Sequence, residues 1–212
     1  MSGTDAYIFK QLFPARHIPV ILHSVLQAGT ALRKEADNEC EDRLTSRLCR
    51  SITKMPKFRD GPLDIRHQST ILSADPEVDT PGGRIDLLVT CAKGYEVYFA
   101  IEAKSLRVCS TGGRVTHYGS TEYVKEGMMR FVTGQYSPHM RAGAMLGYVF
   151  DGKIDKALSG INKSVRNRAK DLRMKPPGGL ARSKIFAEKP IHETGHDLTR
   201  RYLVIYHVLV GV

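Results

Sequence analysis

The order of elements in this chain predicts an α/β fold with a mixed central β-sheet of about four to six strands flanked by α-helices. Three observations carry that reading. Apolar residues recur at helical spacing in some segments and alternate in others. The two kinds of segment interleave as helix, three strands, helix, strand, helix, strand. Mixed order of this kind points to helices packed on a sheet. The 212 residues suit one domain spanning 1–212, long enough to bury a core without disulfides or metal staples.

Residues 20–54 read as helical with a break near Gly29, and Leu44, Leu48 and Ile52 fall on one face. Pro56, Gly61 and Pro62 end that segment. "IRHQSTILSA" reads as a strand and "DPEVDTPGG" as a turn-rich loop. "GRIDLLVTCAKGYEVYFAIEAKSL", residues 83–106, reads as a hairpin turning at Gly94. "STEYVKEGMMRFVTGQY" reads as a helix capped by Ser120 or Thr121, and "RAGAMLGYVF" as a strand. "IDKALSGINKSVRNRAKDLRM" reads as one amphipathic basic helix, followed by a loop and a final strand over 201–210.

Composition narrows the class. Apolar residues make up 42% and charged residues 25%, which excludes a disordered chain. No apolar run reaches the roughly 18 residues of a membrane span, and the N-terminus lacks a secretory pattern, so a cytoplasmic protein is expected. Cys40, Cys49, Cys91 and Cys109 are scattered, which argues against a zinc cluster or redox pair. The net charge of +10 implies a polyanionic partner. The excess gathers in 153–190, where Lys156, Lys163, Arg166, Lys170 and Arg173 are candidates to neutralise a nucleic-acid backbone.

The hairpin carries the chemistry. Asp86 should face away from Ile85, Leu87 and Val89, and Glu102 and Lys104 should share a face. A turn at Gly94 puts Asp86 opposite Glu102, with Cβ atoms roughly 5 Å apart. Two carboxylates so close repel, and burying them unpaired costs several kcal/mol. A hard divalent cation between them turns the repulsion into a binding site. Lys104 beside them can orient a water or stabilise charge on a phosphate.

Asp86 in "RID", followed on the next strand by Glu102 and Lys104 in "IEAK", resembles the PD-(D/E)XK nuclease superfamily, with its restriction-endonuclease-like αβββαβ core. The match uses the relaxed form without the proline before the aspartate. The motifs cover about residues 35–150. Residues 1–30 and 153–190 are not explained by the resemblance. It implies a Mg²⁺- or Mn²⁺-dependent nuclease, a hydrolase of phosphodiester bonds in nucleic acid, DNA rather than RNA. It also implies that Asp86, Glu102 and Glu41 bind the metal, with Glu41 on the preceding helix and Glu39 as its rival. Lys104 would act on the nucleophilic water or the phosphate. The resemblance also implies a glutamine and an aromatic at the end of the next helix, for which "TGQYSPHM" offers Gln135 and Tyr136, with Gln135 supporting the metal ligands from behind or touching the substrate.

Two other readings follow from the same sequence. One is a catalytically silent member of the same fold that binds nucleic acid or protein. The other is a zinc metalloprotease through "HETGH", His192–His196, which fits H-E-x-x-H. Pro190, Gly195 and the strand-like residues after it disfavour the continuous helix that motif needs, and a loop is expected there instead. His207, inside an apolar strand, reads as a satisfied core histidine.

Overall fold

The computed structural model describes residues 13–36, 39–71, 83–91, 97–136, 140–186, 188–199 and 201–212. The Gly94 turn and most of the "DPEVDTPGG" loop lie outside them. Helix α1 spans Ile18–Ala31 and α2 spans Glu41–Thr53, so the predicted break falls after Ala31 rather than at Gly29. Gly29 stays helical because it packs against Val210, where a Cβ would come within 2.6 Å of that side chain. The short α3, Pro56–Arg59, follows.

The strands are β1 (Leu63–Ile71), β2 (Gly83–Cys91), β3 (Tyr98–Leu106), β4 (Val108–Cys109), β5 (Val115–His117), β6 (Ala142–Val149), β7 (Ala181–Arg182), β8 (Ile191–Leu198) and β9 (Arg201–Gly211). Between β5 and β6, α4 (Ser120–Glu122) runs through a π-helical stretch (Tyr123–Met128) into α5 (Met129–Val132). Helix α6 covers Ile154–Asn167.

Seven strands form one mixed sheet in the order β1-β2-β3-β6-β9-β8-β7. Strands β3, β6 and β9 are parallel and the flanking pairs antiparallel. The parallel centre is apolar on both faces because both are covered. On one face Leu87, Ile101, Leu146 and Val208 pack under α1 and α2 through Leu22, Val25, Leu44 and Leu48. On the other, Ala100, Met145, Ile205 and Leu209 pack under Tyr123, Met128, Phe131, Ile161 and Val165. Gly127 lets the π-helical turn press onto the sheet, since a Cβ there would collide with the end of the Met145 side chain.

The sheet is thus α/β and mixed, as expected, with one strand more than the upper expectation. The extra strands lie around "HETGH", which forms β8 rather than a loop. The basic helix also differs from expectation, ending at Asn167 instead of running on to Met174. Residues 168–173 are turns because Leu172 must enter the core and its carbonyl must meet His196. Lys170 and Arg173 therefore leave the helical stripe of Lys156 and Lys163. No helix among the described residues is long and apolar enough to cross a membrane.

Candidate active site

The site lies where β2 and β3 part. Their register pairs Leu87 with Ile101 and Thr90 with Tyr98, and one step further it sets Asp86 opposite Glu102. The paired ladder stops at Leu87, and Asp86 turns its carboxylate across the gap, where Oδ2 accepts from the Ala103 N–H at 2.8 Å. On the β1 side the register likewise skips Gln68, which has φ 53°. A left-handed glutamine in a strand is strained backbone beside a polar centre. The expected alternation also breaks on β2 itself, at Asp86: Leu87 packs under α1 and α2, whereas Ile85 packs in the opposite layer with Tyr136.

Glu41 is the first residue of α2. Its Oε2 accepts from the Ser105 N–H, and its Oε1 lies 3.8 Å from Lys104 Nζ. The helix thereby places a third carboxylate over the exit of β3. The rival Glu39 is committed elsewhere: it binds Arg47 at 2.9 Å and accepts from the Glu35 N–H at 2.7 Å.

Glu102 is completely buried. Its Oε1 accepts from Lys104 Nζ at 2.7 Å and from Arg130 Nη1 at 2.8 Å, while Oε2 accepts from the Tyr136 hydroxyl. Arg130 Nη1 also donates to the Tyr136 oxygen at 2.9 Å, so the helix end grips this carboxylate from two directions. Burial, reinforced by the Asp86 charge, pushes both Glu102 and Glu41 above the ordinary carboxylate range. Burial pulls Lys104 down, but Glu102, Glu41 and Asp86 more than offset it and hold the ammonium charged.

Glu41, Asp86, Glu102 and Lys104 therefore converge. Gln135 does not join them. It is exposed, and its amide lies against Gly83, at the start of β2. Its neighbour Tyr136 enters the site instead, because the turn after α5 points that ring inward against Phe131. Arg130 is the residue that the sequence pattern missed. The available signal was its spacing, i and i+6 with Tyr136, but that identifies a contact only once the chain turns after Val132.

Among the described residues no group of three or more His, Cys, Asp or Glu is arranged to hold a metal ion. The donor chemistry is nonetheless that of a hard cation, all carboxylate oxygen. Asp86 has one oxygen on the Ala103 N–H and fits as a ligand through the other, whereas Glu41 is held by Ser105 and faces Lys104. Glu102 has both oxygens engaged and fits only by exchanging Lys104 or Arg130 for the cation.

The basic candidates are split. Lys156, Lys163 and Arg166 are exposed on the outward face of α6. Lys170 and Arg173 sit in the turns beyond it, and Arg173 donates to Thr199 Oγ1 at 3.1 Å.

"HETGH" contributes none of these groups. His196 Nδ1 lies 2.7 Å from the Leu172 carbonyl, so that nitrogen must donate. Its Nε2 then accepts from Thr194 Oγ1 at 2.8 Å. Thr194 in turn accepts from His207 Nε2 at 3.0 Å, and Tyr123 donates to His207 Nδ1 at 3.0 Å. One carbonyl sets every tautomer in a buried chain. His207 is the satisfied core histidine expected of it. His192 and His196 stand on a strand, with His196 fully used, rather than on a helix facing zinc.

The fold and the site together define an α/β protein with a carboxylate- and lysine-bearing fork in a mixed sheet. Comparison with known protein families, with curated proteins and with solved structures finds no match to this chain.

Proposed function

We propose that this chain is a metal-dependent nuclease hydrolysing phosphodiester bonds, in DNA rather than RNA. The observation that carries the reading is the meeting of Glu41, Asp86 and Glu102 with Lys104 at the parting of β2 and β3. Glu41, Asp86 and Glu102 are the residues that would hold Mg²⁺ or Mn²⁺. Such a cation, when bound, stabilises charge on the phosphate and acidifies a water. Lys104 stays charged through its three carboxylate neighbours and can donate to the attacking water or to a phosphate oxygen. The side chain of Arg130 is 34% exposed, which leaves part of its guanidinium for an anionic substrate beside Glu102. The exposed face of α6 supplies charge for the nucleic-acid backbone.

One observation favours a second reading, a nucleic-acid-binding protein of this fold that does not cut. Glu102 is buried with both oxygens satisfied by the protein itself. Incubation of supercoiled plasmid with the wild type and with Asp86→Asn, in Mg²⁺, in Mn²⁺ and in EDTA, separates the two. Metal-dependent nicking that disappears in Asp86→Asn supports the nuclease. Binding without nicking in either metal supports the silent protein.

A further inference from the structure

Away from the carboxylates, at the outer edge of the sheet, lies a cavity of about 350 Å³ whose lining includes Arg166, Lys175, Gly179, Gly195, Asp197 and Tyr202. Tyr202 is 58% exposed, one of the few large apolar side chains left open to solvent among the described residues. Its position is set rather than free. The ring lies across Gly195, where a Cβ would collide with the Tyr202 hydroxyl. The opposite wall is also held in place: Asn162 Oδ1 on α6 accepts from the Leu180 N–H at 3.0 Å. Gly179, with φ +138°, passes so close to the helix that a Cβ would meet Asn162 Oδ1 at 2.9 Å. Lys175 lies 3.2 Å from Asp197, which neutralises the one carboxylate in the lining, and Arg166 makes no ion pair among the described residues.

The cavity meets the basic face of α6 at Arg166. That helix starts just after Asp151, which pairs with Arg107 at the end of the sheet that carries Lys104. Lys156, Lys163 and Arg166 project outward along it, and Lys156 to Arg166 spans about 15 Å. Lys104 is level with Gly147 and through it with Leu209 on β9, and Tyr202 lies earlier on that strand, about 23 Å away. A row of cations without ion-pair partners among the described residues thus leads from the end of the sheet that carries the carboxylates to an open aromatic ring at the other.

We infer that this cavity takes an unpaired base of a single nucleic-acid strand, stacked on Tyr202, with Arg166 on the adjoining phosphate. A base stacks on a protein ring when it is not stacked inside a duplex, and stacking beside cations is the usual grip on single strands. The meeting with α6 at Arg166 favours a strand over a free nucleotide, which would need no row of cations. The inference rests on the nucleic-acid reading above and adds a single-stranded segment to its substrate.

Fluorescence anisotropy with labelled oligothymidylate, in EDTA so that nothing is cut, tests it. Tyr202→Ala should weaken binding about 5- to 100-fold, with Tyr202→Phe within about twofold of the wild type. Arg166→Gln should flatten the slope of log affinity against log salt by about 0.7. Blunt duplex should bind the wild type and Tyr202→Ala alike. Photocrosslinking of an iodouracil-bearing strand should label Tyr202. Unchanged strand affinity in Tyr202→Ala would overturn the inference while leaving nucleic-acid binding in place. Tight saturation by thymidine monophosphate would replace the strand with a free nucleotide. A wild type that binds neither strand nor duplex would remove the nucleic-acid reading itself.

Discussion

Glu102 is a fully buried carboxylate held by a lysine, an arginine and a tyrosine. A buried carboxylate stripped of one partner costs several kcal/mol, so Lys104, Arg130 and Tyr136 are what make its position tolerable. Tyr136→Phe removes one hydrogen bond and little volume. It should destabilise the protein by about 1–3 kcal/mol in urea unfolding. Asp86 is the opposite case. Its charge raises both Glu41 and Glu102, so Asp86→Asn, which keeps the acceptor for Ala103, should melt no lower than the wild type in EDTA. The same change should cut the rate on plasmid on the order of 1000-fold, because a metal ion supplies several kcal/mol to such a reaction. Cutting at the wild-type rate would sink the assignment. The raised carboxyls also set a pH dependence. Protons compete for the same oxygens, so Mg²⁺ affinity measured by calorimetry should fall with pH while still above the ordinary carboxylate range. A flat profile from neutrality to that range would place the cation elsewhere.

At the scale of elements, β8 shows how a motif changes meaning with its backbone. On a helix His192 and His196 would share a face toward zinc, but on a strand they point into a packed layer. Burial lowers His196 to about 4, and burial with the neighbouring histidines lowers His207 to about 3. Unfolded, both imidazoles take a proton near pH 6.5. As pH falls from 6.5 toward 4 the unfolded chain protonates first, and stability should drop by several kcal/mol across that window. Thermal melts at constant ionic strength read this directly, and no loss between those pH values would mean the histidines are solvated. Elemental analysis should find no stoichiometric zinc; one zinc per chain, absent from His192→Ala with His196→Ala, would reverse the conclusion. The helix α6 makes a similar point. Its apolar spacing, Ala157, Ile161 and Val165, is legible in the sequence, but its end is not. Nothing local in "RNRAKDLRM" stops a helix; the demand comes from His196, which needs the Leu172 carbonyl.

For the whole molecule the net charge of +10 becomes a question of placement. Lys156, Lys163 and Arg166 share one exposed face of α6, whereas Lys170 and Arg173 do not continue it. Replacing Lys156, Lys163 and Arg166 with Gln should flatten the salt slope for duplex DNA by roughly two to three units, about 0.9 for each phosphate no longer neutralised. Affinity should fall alike for all sequences, since phosphate contacts position without specifying. The melting temperature should barely move, because exposed charges contribute little to stability. An unchanged slope would return this face to a solvated surface.

The hairpin and its charges were determined by sequence. A turn centred on Gly94 is local information, and the register it implies is the register of β2 and β3, whereas the alternation holds only from Leu87 onward. The same holds for Glu41, since helical spacing to Leu44 and Leu48 sets its face. What tertiary structure decided is whatever depends on elements distant in the chain. Arg130 reaches Glu102 across 28 residues, and Tyr136 rather than Gln135 fills the site. Tyr202 meets Arg166 and Lys175 in one cavity because β9, α6 and the loop after it are brought to the same sheet edge. Such meetings are set by how layers stack and where the chain turns, and no periodicity in a single segment encodes them.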